Sequence, residues 1–158
     1  MLFRSVKAHL QRQLGVDGFV LLGHSVGGGM AVACAAAHPD ACRGLITESA
    51  QAFVEDRTLT GIRDAQIAFR QPGQIERLQK YHGDKAAWVL GAWIDTWLAE
   101  AFHGWTLDAQ IRQVRCPTLA LHGELDEFGS ALHPQRIDRK STRLNSSHTD
   151  ISRMPSSA

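Results

Sequence analysis

The chain has 158 residues, a length that suits one modest domain. Hydrophobic residues make up 44% of it and charged residues 21%, which is typical of a globular protein. The formal net charge of +1 gives no reason to expect nucleic acid or an acidic membrane as a partner. No apolar run approaches the roughly 20 residues that a membrane helix needs, and the start lacks a signal-peptide pattern. We therefore expect a cytoplasmic protein.

The three cysteines, Cys34, Cys42 and Cys116, are odd in number and include no C-x-x-C pair. This pattern argues against a disulfide framework or a zinc site, and it favours reduced thiols in a reducing compartment. The eight histidines are scattered, with no metal-binding motif among them. We expect neither a metal nor a cofactor.

The first part of the chain alternates helical and strand patterns. Apolar residues at helical spacing predict a helix over residues 2–14, and the wholly apolar run 19–22 predicts a strand that is buried on both faces. An alanine-rich helix over 30–37 and a strand over 44–48 follow. This alternation predicts an α/β fold with parallel strands joined by right-handed crossovers.

Residues 50–115 interrupt this alternation and contain helical patterns without a convincing strand. Helices are predicted over about 58–69, 72–81, 84–102 and 107–114, with Pro72 at a first helical position. All four tryptophans fall in this insertion: Trp88, Trp93, Trp97 and Trp105. They are candidates for lining a substrate pocket, and the alternative is that they pack the core of the insertion.

Strand character returns at residues 117–122, followed by a turn and a helix that begins near residue 130. A polar, serine-rich stretch then runs from residue 138 to the end. Its beginning, DRKSTRLNSSH, matches residue for residue the translation of a sequencing adapter in one frame, so we interpret the tail as an artefact and exclude His148 from the site. The predicted domains are an α/β core over 1–49, a helical cap insertion over 50–115, a returning core strand and turn over 116–137, and an adapter-derived disordered tail over 138–158.

A Gly-x-Ser-x-Gly motif at residues 23–27 stands between the first predicted strand and a helix, which is the context of a nucleophile elbow. Ser25 is the predicted nucleophile, and the Val26 N–H is a predicted oxyanion donor at the helix N-terminus. The alternative is a glycine-rich turn that binds phosphate. A P-loop would need a following lysine, and a dinucleotide fingerprint would need glycine at position 25.

The glycines of this motif have a predicted steric role. Side chains at Gly23 and Gly27 are expected to collide with the adjoining helix or strand. Gly28, together with Gly29, is expected to let the helix approach the sheet closely. His24 is interpreted as a supporting residue of the elbow and not as a general base.

With these residues, the chain over about 1–137 resembles the α/β-hydrolase superfamily, and more narrowly its bacterial cap-bearing serine hydrolases related to esterases and meta-cleavage C–C hydrolases. The resemblance of the segment 116–126 to the family's acid-bearing strand implies that Asp126 is the acid of a Ser-Asp-His triad. The alternatives are that Asp126 only caps the following helix, or that the acid is Glu48, Asp108 or Asp56.

The resemblance also implies parts that we do not find in the chain. The family's histidine follows one further strand; His133 is expected on a surface helix and His122 at a strand end as a packing or rim residue. The second oxyanion loop is also missing, and about eight strands are expected where three are visible. The chain is therefore interpreted as a truncated, inactive fragment.

A serine nucleophile implies a parent enzyme that acts on a small carboxylic ester, a thioester, a lactone or a C–C bond next to a carbonyl. It argues against dehalogenase and epoxide hydrolase activities, whose elbows carry aspartate. Two other hypotheses stay open: a non-catalytic ligand-binding module, and a minimal enzyme that uses His133 as its base.

Overall fold

The computed structural model describes residues 13–138. The described residues form two compact units: the core unit, which comprises residues 13–53 and 106–138, and the inserted unit, Val54–Trp105. Only residues 13 and 14 of the predicted N-terminal helix are described, and both are helical. The predicted tail lies outside the described residues beyond Asp138. The functional assignment of the predicted domains stays a prediction.

The core unit contains a three-stranded parallel sheet of β1 (Phe19–His24), β2 (Cys42–Glu48) and β3 (Thr118–Leu121) in the order β1-β2-β3. Helix α1 (Val26–Ala37) connects β1 to β2 and packs against both strands. Its small side chains permit close packing on the sheet, and Val32 on α1 is fully buried. The predicted α/β class with a parallel sheet of about three strands and flanking helices is confirmed.

The prediction that β1 is buried on both faces is wrong. Val20 is 61% exposed and Leu22 is 72% exposed, whereas Phe19 and Leu21 are half-buried. Successive side chains of a strand point to opposite faces, so α1 shields the face that carries Leu21 and leaves the face that carries Val20 open. An apolar run in the sequence does not show whether both faces of the resulting strand are covered by other parts of the protein.

Two short helices complete the described core unit: α5 (Asp108–Ile111) and α6 (Leu132–Asp138). The chain leaves and re-enters this unit through a paired neck. Phe53 and Thr106 form an antiparallel bridge, and the Leu107 N–H donates to the Ala52 carbonyl at 2.8 Å.

The inserted unit is helical, with α2 (Asp56–Ala68), α3 (Gln74–His82) and α4 (Ala86–Leu98), and with 3-10 turns at Gly83–Lys85 and Glu100–Phe102. Both α2 and α3 pack against α4. The predicted long helix over 84–102 is interrupted because Ala99 adopts an extended backbone. Helix α3 begins after Gly73, whose φ of 83° is left-handed, and not at Pro72. Within residues 13–138 no helix combines the length and apolar character needed to cross a membrane.

Candidate active site

Ser25 occupies the junction between β1 and α1 in a backbone conformation that side chains rarely adopt. Its φ is 52° and its ψ is −123°. Such a conformation costs about 1–3 kcal/mol and persists only where the surroundings enforce it. Two hydrogen bonds enforce it here: the Ser25 N–H donates to the Glu48 carbonyl at 2.9 Å, and the Gly28 N–H donates to the Ser25 carbonyl at 2.9 Å.

The Ser25 side chain makes no hydrogen bond that caps α1, although serine is a preferred capping residue. The residue is half-buried at the carboxyl end of a parallel sheet, where α/β proteins place their ligands. Its hydroxyl is therefore not committed to helix capping.

The steric demands on the elbow glycines differ from one another. A Cβ atom on Gly23 would overlap the Gly27 carbonyl oxygen, and one on Gly28 would overlap the Ala50 Cβ. A Cβ atom on Gly27 would meet nothing within 4 Å, and one on Gly29 would come no nearer than 3.6 Å to another atom. The expected collision at Gly27 and the expected need for glycine at position 29 are therefore wrong: the helix crosses the strand at Gly23 and Gly28.

Val26 is the first residue of the 12-residue helix α1. The first N–H groups of a helix have no intrahelical acceptor, and the helix dipole places partial positive charge there. The N–H groups of Gly28 and Gly29 donate to the Ser25 carbonyl at 2.9 and 3.4 Å. The Val26 N–H is thus the group beside the serine that suits a developing oxyanion, and the exposed His24 ends β1 on the other side of Ser25.

Asp126 lies in the turn after β3 with a side chain that is 13% exposed. Its Oδ1 accepts a hydrogen bond from the Phe128 N–H at 2.8 Å, and its own N–H donates to the Gly123 carbonyl at 3.2 Å. Asp126 does not cap the following helix, because α6 begins only at Leu132. The carboxylate instead shapes its own turn.

Two histidine rings hold this acid turn, which we define as residues 122–129. The Nε2 of His122 lies 3.0 Å from the Gly129 carbonyl oxygen and 3.9 Å from Asp126 Oδ2. A Cβ atom on Gly129 would lie 2.7 Å from the His133 Cδ2 and 3.1 Å from the His122 Cε1. Both rings therefore pack directly against the Gly129 backbone, which leaves no room for a side chain there.

His133 is fully buried, so its predicted place on a surface helix is wrong. Its Nδ1 accepts a hydrogen bond from the Ala52 N–H at 3.1 Å, and its ring lies 4.4 Å from the Phe53 ring. These partners lie about 80 residues away in sequence, so the local pattern contained no signal of them. The arrangement ties the acid turn to the paired neck.

The three alternatives to Asp126 as the acid are paired with another residue or exposed. Asp108 accepts two hydrogen bonds from Arg136, both at 2.7 Å, and this pairing raises the pKa of Arg136. Asp56 is exposed in the first turn of α2 in the inserted unit. Glu48 has an exposed side chain at the end of β2, and its backbone carbonyl holds Ser25.

Ser25 and Asp126 follow the two outer strands of the described sheet at the same edge, because the strands are parallel. Adjacent strands lie about 4.8 Å apart, so β1 and β3 are separated by about 10 Å. Within residues 13–138, no group of three or more potential ligands is arranged to hold a metal ion.

The four tryptophans do not gather into one group. Trp97 is buried, and its ring lies 5.3 Å from the Phe102 ring and 5.8 Å from the Trp105 ring, with Phe102 stacked on Trp105 at 5.2 Å. Trp88 is 72% exposed, and Trp93 is half-buried. A cavity of about 240 Å³ in the inserted unit is lined by other residues, among them Phe69, Leu90 and Ile94. A tryptophan-lined substrate pocket stays a prediction.

The sequence profile of the alpha/beta hydrolase fold family matches residues 3–82, which is just over half of the chain. The chain therefore belongs to the alpha/beta hydrolase family. No curated protein matches the chain.

Solved structures of hydrolases share this fold. An alpha/beta fold family hydrolase from Bacillus anthracis aligns with a TM-score of 0.66 and 14% identity over 95% of this chain and 64% of its own. A membrane phospholipase A described as a bacterial virulence factor aligns with a TM-score of 0.66 and 20% identity over 89% of this chain and 52% of its own.

A meta-cleavage product hydrolase from Pseudomonas fluorescens aligns with a TM-score of 0.54 and 16% identity, over 85% of this chain and 57% of its own. The chain thus spans less than two thirds of the length of each of these structures. At such identities the likeness establishes the fold alone.

Proposed function

We propose that Ser25 is the nucleophile of a serine hydrolase that cleaves an ester-like carbonyl substrate. The observation that carries this proposal is the backbone of Ser25, with φ 52° and ψ −123° between a parallel strand and a helix. A conformation this costly at a non-glycine residue marks a site where the geometry serves a purpose beyond stability. A strand-to-helix turn of this kind projects a serine hydroxyl above a sheet.

In the proposed reaction, the Ser25 Oγ attacks the substrate carbonyl while a histidine takes its proton. Asp126 would accept a hydrogen bond from that histidine and stabilise its positive charge. The Val26 N–H would donate to the oxyanion, and the histidine would return the proton to the leaving alcohol. Water, activated by the same histidine, would then release the acid and regenerate Ser25.

The histidine is proposed to lie outside residues 13–138. His122 and His133, the two histidines nearest to Asp126 in sequence, have rings committed to packing on Gly129. The chain also spans under two thirds of the solved hydrolases that it resembles. We therefore assign activity to a longer protein that supplies the histidine and a second oxyanion donor, and we propose that the 158-residue chain is inactive by itself.

The proposed substrates are carboxylic esters first, with thioesters, lactones and C–C bonds next to a carbonyl as further candidates. A serine at the elbow supports attack on a carbonyl carbon through an acyl-enzyme. The similar structures include both a phospholipase and a meta-cleavage product hydrolase, so the fold is compatible with ester and C–C cleavage. The inserted unit is proposed as the helical cap of the enzyme.

The test uses the longer protein and p-nitrophenyl esters of short acids, with a fluorophosphonate probe as a second readout. We expect ester turnover and a covalent adduct on Ser25, and we expect Ser25→Ala to abolish both. Ser49→Ala is the matched control, because Ser49 follows β2 as Ser25 follows β1 and also has a positive φ, of 46°. It should retain the adduct on Ser25.

Other results would support the alternatives. A longer protein that carries the histidine but shows neither turnover nor adduct would favour a non-catalytic ligand-binding module. Ester turnover by the 158-residue chain that is lost on His133→Gln would favour the minimal enzyme.

A further inference from the structure

We propose that Cys42 and Cys116 form a reversible disulfide site. The two residues lie at the amino-terminal ends of β2 and β3, whereas Ser25 follows the carboxyl end of β1. Their Sγ atoms lie 3.5 Å apart, although the residues are separated by 74 positions in sequence. Both side chains are in the thiol form in this structure. This inference is independent of the proposed hydrolase activity.

The strand pairing brings the two sulfurs together. β2 and β3 are adjacent and parallel, with Leu45 opposite Thr118, and the Leu45 N–H donates to the Pro117 carbonyl at 3.0 Å. Cys42 begins β2, and Cys116 stands two residues before β3, so both lie where their strands start. The same pairing that forms the sheet thus fixes the distance between the thiols.

The remaining movement is small. A disulfide needs an S–S distance of about 2.05 Å, so the sulfurs must approach each other by about 1.5 Å. Rotation about the Cα–Cβ bonds can supply a movement of this size. Sequence spacing gave no indication of the pair, because the cysteines become neighbours only when β2 and β3 are adjacent in the sheet.

Burial restricts which oxidants can reach the site. Cys42 is 4% exposed and Cys116 is 8% exposed, so a large disulfide reagent is excluded and a small peroxide is favoured. Cys116, as the more exposed of the two, is the expected first target. Cys34 on α1 is half-buried and provides a thiol of the same chain for comparison.

The chemistry proceeds in two steps. The Cys116 thiolate attacks one oxygen of hydrogen peroxide, which forms a sulfenic acid and releases the other oxygen as hydroxide, and hydroxide is then protonated to water. The Cys42 sulfur attacks the Cys116 sulfur, the S–S bond forms, and the sulfenic oxygen leaves as a second water. Two thiols and one peroxide thus yield one disulfide and two waters. A thiol reductant restores both thiols by exchange.

The bond would close a loop that contains the whole inserted unit, Val54–Trp105. A cross-link across a long loop narrows the unfolded ensemble and thereby favours the folded state. Oxidation is therefore expected to raise the midpoint of thermal unfolding by roughly 5 °C. Because the cysteines lie at the opposite end of the strands from Ser25, the geometry of the elbow should not change.

The test treats the full 158-residue chain with hydrogen peroxide, quenches it, and maps the peptides by tandem mass spectrometry without reduction. We expect a linked peptide pair that contains Cys42 and Cys116, a loss of about 2 Da that dithiothreitol reverses, and a higher midpoint of unfolding. Cys34→Ala should behave like the unmodified chain, whereas Cys42→Ala and Cys116→Ala should form no internal bond.

Three outcomes would overturn the inference: a bond that joins Cys34 to either partner, a covalent dimer as the sole product, or a sulfinic acid at Cys116 while Cys42 stays a thiol. The peptide map of the unmodified chain decides among them, so the result does not depend on whether the alanine variants fold.

Discussion

Gly23 and Gly27 make so close a contact that a Cβ atom on Gly23 would overlap the Gly27 carbonyl oxygen, yet a Cβ atom on Gly27 would enter open space. We predict that Gly23→Ala lowers the free energy of unfolding by about 3 kcal/mol or prevents folding, since the clash is with backbone and cannot relax. Gly27→Ala, inside α1, should change it by less than about 1 kcal/mol. Urea unfolding followed by circular dichroism measures both, and equal effects would contradict this geometry.

The conformation of Ser25 predicts a gain in stability when the side chain is removed. Glycine adopts positive φ without a steric penalty, so Ser25→Gly should be about 1 kcal/mol more stable than Ser25→Ala, which keeps the Cβ atom. Thermal unfolding of the two variants side by side measures the difference. If Ser25→Ala is the more stable variant, the backbone of the elbow is not strained.

The packing of the His122 and His133 rings on Gly129 predicts that two glycines of the acid turn respond differently to substitution. Gly129→Ala should cost about 1–3 kcal/mol, because the new methyl group would lie 2.7 Å from the His133 Cδ2 and force the ring to move. Gly123→Ala is the control, since nothing lies within 4 Å of its Cβ position. Hydrogen exchange at the Phe128 amide should accelerate in Gly129→Ala and stay slow in the control. Equal exchange in both variants would contradict the packing of the two histidine rings on Gly129.

The pair formed by Asp108 and Arg136 is half-exposed, with 20% and 38% of the side chains accessible. A double-mutant cycle with Asp108→Asn and Arg136→Gln should give a coupling free energy of about 0.5–1 kcal/mol that falls on addition of salt, because solvent screens such pairs.

The pH dependence of this coupling supplies a second readout. Hydrogen bonding to Asp108 raises the pKa of Arg136, so the arginine stays protonated over the whole pH range of the experiment. A group whose folded pKa is raised contributes stability that is lost only as the pH rises through that pKa. The coupling should therefore be constant between about pH 6 and about pH 9. A fall within that interval would assign the stabilisation to another group.

The order of strands and helices and the location of the elbow were predictable from the sequence, because they depend on local patterns. An apolar run, a Gly-x-Ser-x-Gly motif and an alanine-rich stretch follow one another over residues 19–37. The helix that follows residue 25 and the parallel pairing of the strands confirm the α/β interpretation. The roles of Ser25 and Asp126 in catalysis stay predictions that the longer protein must test.

The errors concern features that depend on distant contacts. His133 was expected at the surface, but its ring contacts the Phe53 ring and accepts a hydrogen bond from the Ala52 N–H. The sequence around position 133 does not indicate either contact. The exposure of Val20 and Leu22 depends on what lies over one face of the sheet. The open space beside Gly27 depends on the angle at which α1 crosses β1.

The paired neck has an evolutionary consequence. Phe53 bridges Thr106, and within the inserted unit the Val54 N–H donates to the Trp105 carbonyl at 3.3 Å, so the first and last residues of that unit are neighbours. A segment whose two ends meet can be exchanged for another of different length without a change in the path of the flanking chain. Residues 54–105 can therefore be exchanged as one segment during evolution while the path of the flanking strands, and with it the backbone of Ser25, stays unchanged.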